Sequence, residues 1–199
     1  MKYLIVSGSS RPNNQSIRIA AWMERQLQAQ GDETVVLDLA HVWMPENDPS
    51  TLWDKDSEDS HRFQPTKHYL EWCDGVVVVC PEWDGMLPGK IINFFHCVGK
   101  SLAYKPALIV TNSNRMGGAF PEVILRGFAS KNTRILWLPE HLIVRENETK
   151  FMDEPTDDGD IYIQKRAKFC LKMLRAATEK WTPSRPEMLE ILKEFPNGM

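Results

Sequence analysis

The chain alternates short apolar runs with stretches whose apolar residues recur every three or four positions. Five runs read as strands, at residues 3–7, 34–39, 75–80, 107–111 and 134–138. The third contains Val76-Val77-Val78-Val79, a continuous β-branched run of the kind expected in a strand covered on both faces. Between them lie helical stretches. Residues 16–29 carry Ile17, Ala20, Ala21 and Leu27, with Gly31 as the stop. Residues 66–73, 87–98 and 121–129 give three more, and the mostly apolar 87–98 is expected to be buried. Ile163, Ala167, Cys170, Leu171, Leu174 and Ala177 mark a fifth helix by their spacing. Strand–helix alternation predicts an α/β fold with a parallel sheet covered on both faces. The expected architecture is a doubly wound five-stranded sheet in the order 2-1-3-4-5.

Two segments fall outside this pattern. Residues 41–61 are acidic and rich in turn formers, yet contain Trp43, Met44 and Trp53. Such a segment is expected to cover a pocket or to contact another subunit. From Pro186 onward, Met188, Ile191, Leu192 and Phe195 share one helical face. They are read as a helical extension at about 184–199 of a single domain spanning 1–199.

Composition narrows the function classes. The net charge is −3, whereas a nucleic-acid surface needs an excess of Lys and Arg. No apolar run approaches the roughly 20 residues that span a bilayer. The first residues read as a strand and a turn instead of a signal peptide, so a cytoplasmic protein without membrane or nucleic-acid partners is expected. Cys73, Cys80, Cys97 and Cys170 form no CxxC pair and no zinc-binding spacing. They are read as structural thiols, and no metal site is expected.

The chemistry is expected in three loops. In an open parallel sheet ligands bind beyond the carboxyl ends of the strands, where the strand order reverses. The first loop is GSSRPNNQS, residues 8–16. Ser9, Asn13, Gln15 and Ser16 offer hydroxyl and amide groups beside a helix start, which is an anion site. Arg11 adds a charge-assisted contact. The plainer reading is a polar turn in which Ser16 is an N-cap. The loop lacks GxxxxGK[ST], GxGxxG and cysteine, which disfavours a nucleotide P-loop, a dinucleotide fingerprint and a thiol phosphatase. A monophosphate such as that of FMN suits what remains. The second loop, after the third strand, is Pro81-Glu82-Trp83-Asp84-Gly85-Met86, whose backbone could meet the edge of a planar ring. The third, after the fourth strand, contains Ser113, Arg115, Gly117 and Gly118, where two glycines let backbone approach a ligand.

GSSRPNNQS, PEWDGMLPGKIINF and NSNRMGGAFPE together resemble the NADPH-dependent FMN reductase family of flavodoxin-like proteins, over about residues 1–145. The resemblance implies FMN as cofactor, NAD(P)H as co-substrate, a small-molecule electron acceptor such as a flavin or quinone, and a homodimer or homotetramer. Carried over by position, Ser9, Arg11, Gln15 and Ser16 would hold the phosphate. Residues 81–86 would meet the isoalloxazine, and 113–118 would close over its other side. Trp83 stands where the family often has Tyr, and Asp84 where it often has Asn. A negative charge at Asp84 is expected to lower the flavin potential or weaken binding. His41, His61, His68, His96 and His141 fall outside the three loops, and no catalytic side chain is expected, since the cofactor carries hydride transfer itself. The resulting expectation is a ping-pong oxidoreductase. An electron carrier, or an interaction module that has lost the cofactor, is the alternative.

Overall fold

A computed structural model describes residues 1–197 apart from 47 and 156. Asn47 of the 41–61 segment and Gly198 and Met199 of the expected C-terminal extension therefore lie outside the described residues.

Among the described residues five strands form one parallel sheet: β1 (Lys2–Ser7), β2 (Glu33–Asp38), β3 (Gly75–Pro81), β4 (Pro106–Asn112) and β5 (Leu136–Val144). The spatial order is β2-β1-β3-β4-β5, as expected from the sequence. Each strand sends alternate side chains to opposite faces. Leu4, Val6, Val76, Val78 and Ile109 enter one apolar core, closed by α2 (Glu58–Trp72), α3 (Gly89–Val98) and α4 (Ala119–Phe128). Tyr3, Ile5, Val77, Val79, Leu108 and Val110 enter the other. That second core is closed by α1 (Gln15–Gln28) and α6 (Asp158–Trp181). The all-apolar third strand is thus explained by burial on both faces, and every residue of β3 is buried.

The boundaries move where local chemistry overrides the pattern. The fifth strand runs over Leu136–Val144, not 134–138. The strand continues through Pro139 because β5 is an edge strand bonded only to β4, where a missing N–H is tolerated. α2 begins at Glu58 instead of 66, with Pro65 inside it. Ser57 caps its start by accepting from the Ser60 N–H, and Glu58 and Asp59 sit favourably in the first turn. α3 begins at Gly89, after Pro88, and α4 at Ala119. A four-residue α5 (Ser130–Thr133) links α4 to β5.

Residues 41–61 do not behave as one exposed loop. Met44 is buried in the core with α2 and α3, and Trp43 packs against it. The Arg62 guanidinium lies 4.4 Å from the Trp43 ring centre. Trp53, at the end of a 3₁₀ turn over Pro49–Trp53, is 81% exposed. In the extension, α7 (Arg185–Ile191) has no buried residue, and Ile191 and Phe195 are exposed. It is tied back by Arg185, which donates to the Ala103 carbonyl at 2.9 Å. All four cysteines are buried as free thiols. Burial pushes the Cys97 thiol up to about 11 and raises Cys73, Cys80 and Cys170 as well.

Candidate functional site

The chain leaves β1 for β2 on one side and returns to β3 on the other, so the loops after β1 and β3 diverge beside each other. This is the switch point where open α/β sheets bind ligands. The first loop is tied to β3 by the Gly8 N–H, which donates to the Val79 carbonyl at 2.8 Å. Its end is set by Asn14, the residue that caps α1 in place of Ser16. Asn14 Oδ1 accepts from the Ile17 N–H at 2.9 Å and its Nδ2 donates to the Arg11 carbonyl at 2.7 Å. With the Ile17 N–H satisfied, those of Gln15 and Ser16 have no intrahelical acceptor and present an electropositive helix start. The Ser9 hydroxyl accepts from the Arg11 N–H at 3.3 Å. Gln15 Oε1 is taken by the Arg18 Nε at 2.8 Å. The Arg18 guanidinium also donates to the carbonyls of Asn147 and Lys150, pinning the segment after β5 to α1. Its burial lowers its pKa.

The second loop is a two-residue hairpin. Trp83 and Met86 exchange both backbone hydrogen bonds, at 3.0 and 2.8 Å. Asp84 and Gly85 at its tip have φ of 48° and 73°. Two successive positive φ values make a type I′ turn, which favours Asn or Asp followed by Gly. The Asp84 that departs from the family pattern therefore meets the backbone demand as Asn would. The Arg11 guanidinium lies 4.5 Å from the Trp83 ring centre, a cation–π contact that joins the first two loops.

The third loop is organised by Glu82. Its Oε2 accepts from the Gly118 N–H at 2.7 Å. A Cβ on Gly117 would fall 2.5 Å from Glu82 Oε1 and 3.0 Å from Ser113 Oγ. Gly118 has a φ of 103°, at the entry to α4. The close approach that Gly117 permits is thus to Glu82 of the same chain, and a Cβ on Gly118 would fall 2.8 Å from Ile143 Cγ2, where the sequence suggested an approach to ligand. Behind the loops, Asn147 Nδ2 donates to Asn112 Oδ1 at 2.8 Å, and Asn112 Nδ2 donates to Ser16 Oγ at 3.0 Å. Asn147 Oδ1 is buried and has no partner.

Together the loops enclose a cleft of about 440 Å³, within the size range of small-molecule sites. Of the sequence-derived candidates, Ser9, Arg11, Asn13, Gln15, Ser16, Pro81, Glu82, Trp83, Asp84 and Ser113 line it. Gly85, Met86, Arg115, Gly117 and Gly118 do not line it. Gly85 and Gly118 serve the turn and the helix entry, Gly117 makes room for Glu82, and the Met86 side chain points to solvent at 48% exposure. Asn14, Asn112, Asn114, Asn147 and Glu148 line it without having been singled out. Asn112 opens the NSNRMGGAFPE motif and Asn114 lies within it, but neither amide is among the residues expected to hold the ligand. Asn147 and Glu148 follow a fifth strand that runs past its expected end at 138 to Val144. No histidine lines the cleft. Among the described residues no group of three His, Cys, Asp or Glu side chains could hold a metal, and no helix is long and apolar enough to cross a membrane.

The cleft fits FMN by its donor set. Free helix-start N–H groups, the Ser16 hydroxyl and the Arg11 guanidinium suit a phosphate. Trp83 suits a planar ring, and the unpartnered Asn147 Oδ1 is an acceptor within the wall. Comparison with known proteins points the same way. The profile of the NADPH-dependent FMN reductase family matches residues 1–149. No curated protein matches. Among solved structures, an oxidoreductase from Corynebacterium diphtheriae superposes with a TM-score of 0.66 at 14% identity, covering 90% of this chain and 97% of that one. FerB from Paracoccus denitrificans, a flavoenzyme NAD(P)H:(acceptor) oxidoreductase, gives 0.64 at 20% identity, covering 92% and 97%. A flavodoxin from the domain Archaea gives 0.57 at 10% identity, covering 88% and 99%. At these identities the structural likeness is one of fold, and that fold is flavodoxin-like.

Proposed function

Because this chain belongs to the NADPH-dependent FMN reductase family and is a flavin-dependent oxidoreductase, we propose that it binds FMN in the cleft at the β1/β3 switch point and uses NAD(P)H to reduce a small acceptor such as a flavin or quinone. The observation that carries this reading is the meeting of the α1 start, Ser16, Arg11 and the Trp83 hairpin in one cleft. Bound FMN would supply the chemistry, accepting hydride from NAD(P)H and passing electrons to the acceptor in a ping-pong cycle.

The chain's own residues bind and orient. The Gln15 and Ser16 N–H groups and the Ser16 hydroxyl hold the phosphate, and Arg11 neutralises its charge. Trp83, held by Arg11 at 4.5 Å, forms a wall for the ring. Asp84 places a carboxylate at the cleft rim, which opposes the gain of negative charge there and lowers the tendency to be reduced. No side chain is assigned a proton transfer.

The test is steady-state turnover with FMN-loaded protein, NADPH or NADH, and a quinone as acceptor. Parallel double-reciprocal lines, and loss of turnover when FMN is stripped, are expected. Intersecting lines would contradict the ping-pong order. Turnover that persists without flavin would contradict the cofactor assignment.

A further inference from the structure

Ser16 is 1% exposed, Asn112 1% and Asn147 6%. They come from α1, the end of β4 and the segment after β5, and their side chains form one hydrogen-bonded row. Asn147 Nδ2 donates to Asn112 Oδ1 at 2.8 Å, and Asn112 Nδ2 donates to Ser16 Oγ at 3.0 Å. A hydroxyl that accepts from an amide N–H keeps its own proton to give. The far end of the row explains its direction. Asn147 Oδ1 is buried without a partner. Turning the row round would place an NH₂ group there, and a buried donor without an acceptor is costlier than an under-used oxygen. The reversed row would also consume the Ser16 proton at Asn112 Oδ1 and turn lone pairs toward the bound anion.

We propose that Asn112 and Asn147 are positioning residues that make the Ser16 hydroxyl a fixed donor to the phosphate of the cofactor. The proposal rests on the FMN reading above. It makes phosphate recognition depend on two amides that need not touch the ligand.

The test compares the Kd for FMN with that for riboflavin, which has no phosphate, in Asn112→Asp, Ser16→Ala and the double variant. The carboxylate that Asn112→Asp introduces has no N–H to give and accepts the Ser16 proton instead. In Asn112→Asp the FMN Kd is expected to rise roughly ten- to hundredfold, with the riboflavin Kd changed by less than about twofold. In the Ser16→Ala background the same change should cost FMN little more. An equal loss with and without Ser16 would mean simple charge repulsion and would overturn the proposal. So would an equal loss for FMN and riboflavin. The uncharged Asn147→Leu variant frees Asn112 to turn and is expected to weaken FMN several-fold while sparing riboflavin. Its binding both ligands as the unaltered protein does would overturn the role of Asn147. Failure of the unaltered protein to bind FMN would overturn the functional reading itself, and the proposal with it.

Discussion

Glu82 and Gly117 show how tightly single residues set this cleft. The Glu82 carboxylate accepts the Gly118 N–H at 2.7 Å, and a Cβ at residue 117 would fall 2.5 Å from it. Real Cβ contacts are not that short, so Gly117→Val must shift the Glu82 carboxylate and disturb its bond to Gly118. A hydrogen bond to a charged group contributes about 1.5–3 kcal/mol. The expected outcome is a folded protein with clearly weaker FMN binding by titration, whereas Lys55→Val on the exposed loop binds normally. Equal affinities in the two variants would show that the third loop does not shape the site. Arg11 and Ser16 act on the ligand itself. In the double variant Arg11→Ala, Ser16→Ala each lost contact should cost about 1.5–3 kcal/mol of FMN binding, with the circular dichroism spectrum unchanged. Unaltered affinity in that folded variant would remove the phosphate assignment. The first-loop residues were legible because their chemistry is local to a helix start. The roles of Glu82 and the glycines were not, because the contact joins two loops after different strands and leaves no mark on periodicity.

At the scale of elements, β-branched runs made β1, β2, β3 and β4 readable, whereas α2 starts before, and β5 ends beyond, the expected bounds. Proline removes a backbone donor, but a capped start at Ser57 and an unpaired sheet edge accommodate Pro65 and Pro139. The lost end of β5 hid Asn147 and Glu148 from the site. The far end of α2 depends on a residue that the sequence pattern left unremarked. Lys105 is 1% exposed, and its ammonium donates to the Leu70 and Glu71 carbonyls at 2.6 and 3.0 Å. These carbonyls belong to the last turn of α2, which has no intrahelical donor for them. Lys105→Met should therefore lower stability by about 2–4 kcal/mol in urea unfolding. Burial also depresses the Lys105 pKa below its ordinary 10.5. Between those two values the unfolded chain binds more protons than the folded one, so this residue's contribution rises with pH. The Lys105→Met variant should lose that alkaline increment, and an identical pH profile would contradict it.

The whole molecule divides its surfaces unevenly. The aromatic argument for a subunit contact in residues 41–61 loses Trp43 and Met44 to the chain's own core and keeps only the exposed Trp53. Met86, Met116, Phe120 and Val123, all on or just after the second and third loops, add exposed apolar surface. On that basis a homodimer or larger is proposed. Sedimentation at micromolar concentration should show it, and a monomer there would count against it. Exposure of this kind is a property of the folded surface, so the sequence could mark the residues but not sort the buried from the exposed. The central claim is that the switch-point cleft holds FMN within reach of a reduced nicotinamide. It is tested most directly by the anaerobic visible spectrum of the FMN-loaded protein on adding NADPH or NADH. Loss of the flavin absorbance, restored by adding the acceptor, is the expected result. Bound flavin that stays oxidised with both nicotinamides, or a protein that takes up no FMN, would contradict it.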